Sequence, residues 1–398
     1  MFCRTLAAFS LIFLGSAQSF SATLGSQQVD AIVRQVIDPT MNPPAPTKHP
    51  VGLVVGVVTQ EGIQVVYGFG SIVLGGADIP NGDTLFEIAS ISKTFTATLL
   101  AQEVGQGKIQ LNDPVSADRC TWQMVSAFCY HGVPTTYLDL ATHTAGLPVS
   151  PDFPGYRLDE YTRPEIDRYL ADFSLKHAPG TAYWYSNLGF GYLGDLLTDL
   201  EGESYDRLVT ERIADVLGMN HTRVILTPDE EAQLQSGYTA GLDGSPDFEK
   251  APLYHFTDQS ALSGSAAIHS TANDLLIYLA GEMGLERASP LSSLSDAMDL
   301  SQIPRFSHAP DILPFSVALG WEILDIGDIT FHSGALPGFD SFVGFQRDLG
   351  IGVVVLSNTS FYVPDQSGAL VGFDQATGLG VQLISGLARA REQLGATF

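Results

Sequence analysis

Ser90-Ile91-Ser92-Lys93 heads an apolar-periodic segment that runs to Gly105, directly after the strand-like run Thr84-Leu85-Phe86-Glu87-Ile88. A serine hydroxyl is a poor nucleophile near neutral pH and needs a base beside it. Residues three apart on a helix lie on one face, so a lysine at that spacing can reach the serine. Burial lowers a lysine's pKa by penalising the charged form, and a neutral amine can accept a proton. Ser-x-x-Lys therefore offers a nucleophile and a base within one helical turn. Four-residue matches to this pattern are common, with an N-cap serine and a solvated lysine as the ordinary case. Here lysine occurs only at 48, 93, 108, 176 and 250, and only Lys93 has a serine three residues before it.

The rest of the chain sets bounds on what this pair can belong to. The 398 residues are 45% hydrophobic, 10% aromatic and 16% charged, enough apolar material for one large core or two modest ones. The formal net charge of −25 repels phosphate backbones, which argues against nucleic acid as a partner. Residues 1–22 read as an export signal. Arg4 supplies the positive start, Leu6–Leu14 the apolar core and Gly15-Ser16-Ala17 small residues for cleavage, with Ala22 a second cleavage candidate. No later run approaches the roughly 20 apolar residues of a membrane helix. A periplasmic or secreted enzyme with no stable membrane span is expected. Cys3 leaves with the signal, and Cys120 and Cys129 remain as a pair. In an oxidising compartment a disulfide between them would pin the loop 121–128, and two buried free thiols are the alternative. Nothing in the cysteine or histidine spacing suggests a metal site, and no cofactor is called for.

Strand signals gather at the two ends of the chain. Val29, Ile32, Val33 and Val36 have helical spacing over 26–37, and a proline-rich connector follows at 41–50. Gly52–Val58 and Ile63–Phe69 then read as a hairpin. From about 108 to 320 the pattern is mostly helical and loop-like, with helices predicted over Ser204–Leu217 and Thr271–Gly281. Thr271-x-x-Asp274 is a capping-box pattern with a shorter acid. Residues 225–265 lack periodicity and could wall a site. Strands return at Ile329–His332, Phe339–Gln346 and Ile351–Leu356, with a turn at Asp348-Leu349-Gly350, and Ala376–Leu394 closes the chain as a helix. The simplest arrangement is an α/β (α+β) fold. One antiparallel sheet is built from both chain ends (about 23–90 and 320–398) and flanked by the terminal helices, with a mainly helical part (about 91–319) inserted. Residues 23–398 then form a single catalytic domain, with its site at the seam.

Two further motifs fall at that seam. Tyr185-Ser186-Asn187 follows the turn Pro179-Gly180 and precedes a glycine-spaced run to Gly194. A tyrosine there can relay a proton, or be favoured as phenolate beside an ammonium group, and an asparagine amide can orient a lysine or a substrate carbonyl. His332-Ser333-Gly334 closes a predicted strand and leads into Ala335. An exposed strand edge can bind an extended substrate, and a glycine admits close approach.

Ser90-x-x-Lys93, Tyr185-x-Asn187 95 residues later and His332-Ser333-Gly334 147 residues beyond that resemble the penicillin-recognising serine hydrolases, in the branch of class C β-lactamases and DD-peptidases. Leu111–Val115, Leu138–Pro148, Leu217-Gly218-Met219, Ser270–Leu275 and Leu319-Gly320-Trp321 look like the same family, so the resemblance spans about 30–390 in family order. It implies a β-lactamase/transpeptidase-like fold with Ser90 as acylated nucleophile and Lys93 and Tyr185 sharing the general-base and general-acid work. Asn187 would contact the acyl amide and Lys93. His332, Ser333 and Gly334 would form the substrate-edge strand, and the N–H groups of Ser90 and Ala335 an oxyanion hole. One departure matters: most class C β-lactamases carry a lysine where this chain has His332. A histidine supplies positive charge for a substrate carboxylate only below about pH 6.5. The motif is similar to the His-x-Gly of some secreted DD-peptidases of this branch, which favours a peptidase or penicillin-binding reading over an efficient β-lactamase, and related esterases also deviate there. Arg305 is the nearest upstream candidate to replace it. His143 reads as structural, since no motif geometry links it to Ser90. The expected activity is that of a D-alanyl-D-alanine carboxypeptidase/endopeptidase-like penicillin-binding enzyme acting on a small-molecule or peptide substrate. A family VIII-type carboxylesterase, a weak class C-type β-lactamase and a non-catalytic penicillin-binding sensor are the alternatives.

Overall fold

The computed structural model describes residues 23–43, 49–62, 64–151, 157–241, 248–285, 292–308, 314–364, 370–373 and 375–395. The export signal expected over 1–22 lies outside them. The chain opens with helix α1 (Ser26–Met41) and the hairpin β1 (Gly52–Thr59) and β2 (Gln64–Gly70). Helix α2 (Ser92–Gly105) follows the nucleophile turn, and α3 (Asn187–Glu201), α4 (Ser263–Ala266) and α5 (Ala272–Glu282) belong to the inserted region. Then come β3 (Phe306–His308), β4 (Phe315–Val317), β5 (Glu322–Leu324), β6 (Ile329–Leu336), β7 (Phe339–Gln346), β8 (Ile351–Ser357) and the closing helix α6 (Gln375–Gly395).

The eight strands form one antiparallel sheet in the order β3-β4-β5-β6-β7-β8-β1-β2. The two chain ends therefore meet where β1 pairs with β8, Leu53 opposite Ser357 through Thr59 opposite Ile351. Every residue of β1 and of β8 is buried. Strands covered on both faces have no reason to alternate polar with apolar, which is why both read as continuous β-branched runs. Leu53, Val55 and Val57 pack with α1 and α6 on one face, while Val54 and Val58 join the larger core with α5 on the other.

Three differences from the sequence reading have physical causes. β3 and β4 belong to the sheet although they lie inside the span expected to be mainly helical. Three residues each are too few to display a two-residue period. Thr271 does cap α5, accepting from the Asp274 N–H, but the Asp274 carboxylate is taken by the His221 N–H at 2.7 Å and the Thr222 hydroxyl at 2.8 Å, so the box is not reciprocal. The unperiodic stretch after 225 contributes Tyr238–Gly241 and Glu249–Lys250 to a separate four-stranded sheet. Cys120 and Cys129 are joined in a disulfide with Cα atoms 5.4 Å apart.

Candidate active site

Ser90 sits in a single 3₁₀ turn, Ala89–Ile91, that feeds directly into α2. Ala89 has φ +50, a conformation that costs a residue with a side chain about 1–2 kcal/mol. The turn is held from both sides. The Ile88 N–H donates to the Ile268 carbonyl at 3.0 Å, and the Ile88 carbonyl accepts from the Ser341 hydroxyl at 2.9 Å. Ser90 itself is half-buried and so remains reachable.

Lys93 is completely buried, and its Nζ lies 2.9 Å from Ser90 Oγ, 2.8 Å from Asn187 Oδ1 and 2.8 Å from the Ser265 carbonyl. Burial pushes the Lys93 pKa well below the ordinary lysine value, against a smaller upward pull from the Glu322 carboxylate. Two of the three neighbours, the Asn187 and Ser265 oxygens, can only accept. A neutral amine has two N–H groups for them, which leaves its lone pair directed at the Ser90 hydroxyl. The arrangement is that of a general base on its nucleophile.

Tyr185 is also hydrogen-bonded to Ser90. Burial pushes its phenol above the ordinary tyrosine value, outweighing that bond, and the Glu322 carboxylate adds to the rise. Both effects favour the protonated phenol over the phenolate. The Tyr185-Ser186-Asn187 segment is clamped by the loop 143–149. The Trp184 N–H donates to the His143 carbonyl at 2.7 Å, the Asn187 N–H to the Val149 carbonyl at 2.9 Å and the Ser186 hydroxyl to the Pro148 carbonyl at 2.6 Å. His143 Nδ1 accepts from the Ser186 N–H at 3.0 Å and its ring lies 4.3 Å from that of Tyr185, which is a positioning role. Burial, with Lys93 and His332 nearby, lowers the His143 pKa well below the ordinary value and keeps the ring neutral.

β6 carries the third motif. β5 pairs only with its first half, Ile329 to Phe331, while β7 pairs along Thr330 to Leu336. Among the described residues, no strand covers the other edge of the stretch from His332 to Leu336, so the expected open edge is present. Gly334 has a reason the sequence did not reveal. A Cβ there would lie 2.4 Å from the Ile88 carbonyl oxygen and from Ser341 Oγ, and 3.0 Å from the Ser90 nitrogen. The glycine lets the strand lie against the nucleophile turn, with Ala335 next along the edge.

His332 corrects the charge expectation. Its Nδ1 lies 2.6 Å from the Ser333 carbonyl, which can only accept, so Nδ1 carries the proton. Burial, the larger cause, and a charge on Lys93, the smaller, lower its pKa to about 3 despite that hydrogen bond, and with the Lys93 amine neutral only burial acts. That direction runs against the titration near pH 6.5 expected from the sequence. Arg305 does not substitute for it. It is exposed and precedes β3, three strands from β6, about 14 Å at ordinary strand spacing.

Two residues of the site carried no sequence signal that was read. Ser265 contributes a backbone carbonyl from α4, where Gly264 packs against Gly194 of α3 so closely that a Cβ on either would meet the other's Cα at about 3 Å. The small residues at 263–266 and the glycine spacing of 189–194 were the available signals for that contact. Glu322, at the start of β5, accepts from the Tyr183 hydroxyl at 3.1 Å.

A buried lysine base on a serine at a helix start, beside a tyrosine and an open strand edge, defines a serine acyl-transfer site. Residues 29–376 match the Beta-lactamase family model, and the chain belongs to the β-lactamase family of serine hydrolases. It is 27% identical over 403 residues to a β-lactamase of Escherichia coli K12, covering 92% of this chain and 96% of that protein. It is 32% identical over 227 residues to the D-alanyl-D-alanine-carboxypeptidase/endopeptidase AmpH of the same strain, covering 56% of this chain and 55% of that protein. The solved structure of a β-lactamase/D-alanine carboxypeptidase from Yersinia pestis superposes with a TM-score of 0.71 at 21% identity, covering 92% of this chain and 99% of that one. The fold is accordingly β-lactamase/transpeptidase-like. Among the described residues no helix is long and apolar enough to cross a membrane.

Proposed function

We propose that the protein is an exported hydrolase that forms an acyl-enzyme on Ser90. The observation that carries this is the Lys93 amine, 2.9 Å from Ser90 Oγ with its other two directions committed to acceptors. As Oγ bonds to the substrate carbonyl carbon, the Ser90 proton passes to Lys93 and the carbonyl oxygen takes up negative charge between the Ser90 and Ala335 N–H groups. When the bond to the leaving group breaks, Tyr185 gives that group its proton and recovers one from the Lys93 ammonium through the same cluster. Water then attacks the ester, with Lys93 and Tyr185 acting in reverse.

The relatives support a D-alanyl-D-alanine-type peptide as substrate, in keeping with the name of AmpH. A weaker consideration supports an acyl ester instead: burial lowers the His332 pKa, so the ring adds little fixed charge for a terminal carboxylate. The carboxypeptidase-like reading therefore leads, with the carboxylesterase-like one second and penicillins as acylating agents of low turnover. Activity-based labelling with an uncharged alkyl fluorophosphonate tests the machinery. Labelling that is lost in Ser90→Ala and slowed at least a hundredfold in Lys93→Ala is expected. Undiminished labelling of Ser90→Ala would refute it. A short acyl ester cleaved far faster than any D-alanyl-D-alanine peptide would move the substrate reading to the esterase.

A further inference from the structure

The Ser265 carbonyl that meets Lys93 is itself held from behind. Residues 263–268, which are α4 and the two residues after it, run along α2 in the opposite direction, and α2 reaches this strap at three points. The Thr96 hydroxyl donates to the Gly264 carbonyl at 2.7 Å, the Lys93 amine to the Ser265 carbonyl at 2.8 Å, and the Ser92 hydroxyl accepts from the Ile268 N–H at 3.0 Å. The Ile268 carbonyl accepts in turn from the Ile88 N–H, on the other side of the nucleophile turn. Ser92, Lys93 and Thr96 are fully buried, so water does not compete for these bonds. On its far side the strap is stopped by α3, because a Cβ on Gly264 would lie 2.6 Å from the Phe190 carbonyl oxygen.

Counting protons gives the outermost contact a direction. The buried Tyr205 hydroxyl lies 2.6 Å from Thr96 Oγ1, and a threonine hydroxyl has one proton. The Gly264 carbonyl can only accept and is the nearer of the two carbonyls in reach, with that of Ser92 at 3.3 Å. Thr96 therefore donates to Gly264 and accepts from Tyr205. The chain Tyr205–Thr96–Gly264 ends one peptide before the carbonyl on Lys93. The Ser265 hydroxyl is committed elsewhere, to the Leu262 carbonyl at 2.7 Å.

We infer that Thr96, oriented by Tyr205, is a positioning residue for the base: it fixes the strap so that the Ser265 carbonyl holds the Lys93 amine with its lone pair on Ser90. The inference rests on the acyl-enzyme reading above and adds what aims the base. Without the Thr96 hydroxyl, one of the two acceptors that orient the amine is no longer fixed in place. Thr96 is fully buried and out of reach of a substrate, so binding is left as it was while acylation slows.

The test is stopped-flow acylation by 4-nitrophenyl acetate over a range of ester concentrations, which separates the acylation rate constant from the dissociation constant of the ester. Thr96→Val keeps the shape of the side chain and removes its hydroxyl. Its acylation constant should fall about tenfold, with the dissociation constant within about twofold of the parent's. Thr96→Ser restores the hydroxyl and should return acylation to within about threefold of the parent. Thr98→Val is the control. It removes another buried hydroxyl of α2, one that donates to the Thr94 carbonyl at 3.0 Å rather than to the strap. It should leave acylation within about twofold of the parent. If Thr96→Val melts too low to assay, Tyr205→Phe removes the donor behind Thr96 and should slow acylation by about threefold or more at unchanged ester binding. The inference is overturned by undiminished acylation in Thr96→Val or Tyr205→Phe, by a Thr98→Val as slow as Thr96→Val, or by a Thr96→Ser that restores nothing. Undiminished acylation of Ser90→Ala would instead sink the acyl-enzyme reading, whichever way the Thr96 variants behave.

Discussion

Asn187→Asp tests the electrostatics of the base with a change of one atom. Asn187 Oδ1 lies 2.8 Å from Lys93 Nζ, so the substitution places a full negative charge where a neutral acceptor stands. At an effective permittivity of about 20, two unit charges at that separation attract by about 6 kcal/mol, an upper figure because the new carboxylate is itself desolvated. Half of it corresponds to about 2 pH units and all of it to about 4. The sign follows from the charge: a carboxylate favours the ammonium form and raises the Lys93 pKa. Burial alone now holds that pKa well below the ordinary lysine value. Acylation needs the neutral amine, so its ascending pH limb should move 2 to 4 units toward alkaline pH, and the rate at a pH on the parent's limb should fall by about 10² to 10⁴. Stopped-flow burst kinetics with a nitrophenyl ester between pH 4 and 10 measure the limb directly. A limb displaced by less than half a unit, in a variant that melts like the parent, would refute Lys93 as the base.

Gly334→Ala should cost about 1–3 kcal/mol in denaturant unfolding and slow acylation, because its methyl would meet the Ile88 carbonyl and Ser341 Oγ at 2.4 Å. Unchanged unfolding would mean that the strand is not seated against the nucleophile turn. His332 has a folded pKa of about 3 against an unfolded value of 6.5, so its contribution to stability is complete above pH 6.5 and is lost as pH falls toward 3. His332→Gln should therefore lose about 1.4 kcal/mol less stability per pH unit than the parent between pH 6 and 4, read from melts at each pH. Parallel melting curves for the two proteins would contradict a buried neutral ring. Replacing both Cys120 and Cys129 by serine reopens a loop of sequence separation 9, worth about 2.6 kcal/mol in the chain-entropy account. In a chain of this length that is about 3 °C in Tm, which calorimetry resolves.

What the sequence made legible is what depends on local or repetitive pattern. The central strands β1 and β8 announced themselves because they are buried on both faces. Ser90 and Lys93 stood out because the chemistry that joins them spans three residues. Tyr185, Asn187 and the His332–Ala335 edge became readable only through the order of motifs along the chain, since the contacts that unite them are long-range. Ser265 gives Lys93 a backbone carbonyl from 172 residues away, and a carbonyl leaves no mark on residue type. Glu322 looked like one of 44 acidic residues until β5 placed it at the end of the paired edge. The histidine at 332 was read as a group that titrates near its ordinary pKa of about 6.5. Burial, which is a matter of packing, pushes that pKa down.

The most direct test of the account is intact-mass spectrometry of the protein during turnover of a short-chain nitrophenyl ester, quenched in acid and followed by peptide mapping. The account predicts an adduct of one acyl group on the peptide that contains Ser90, formed in the burst, decaying when ester is exhausted, and missing from Ser90→Ala. Turnover with no adduct on that peptide, or an adduct on another residue, would contradict it.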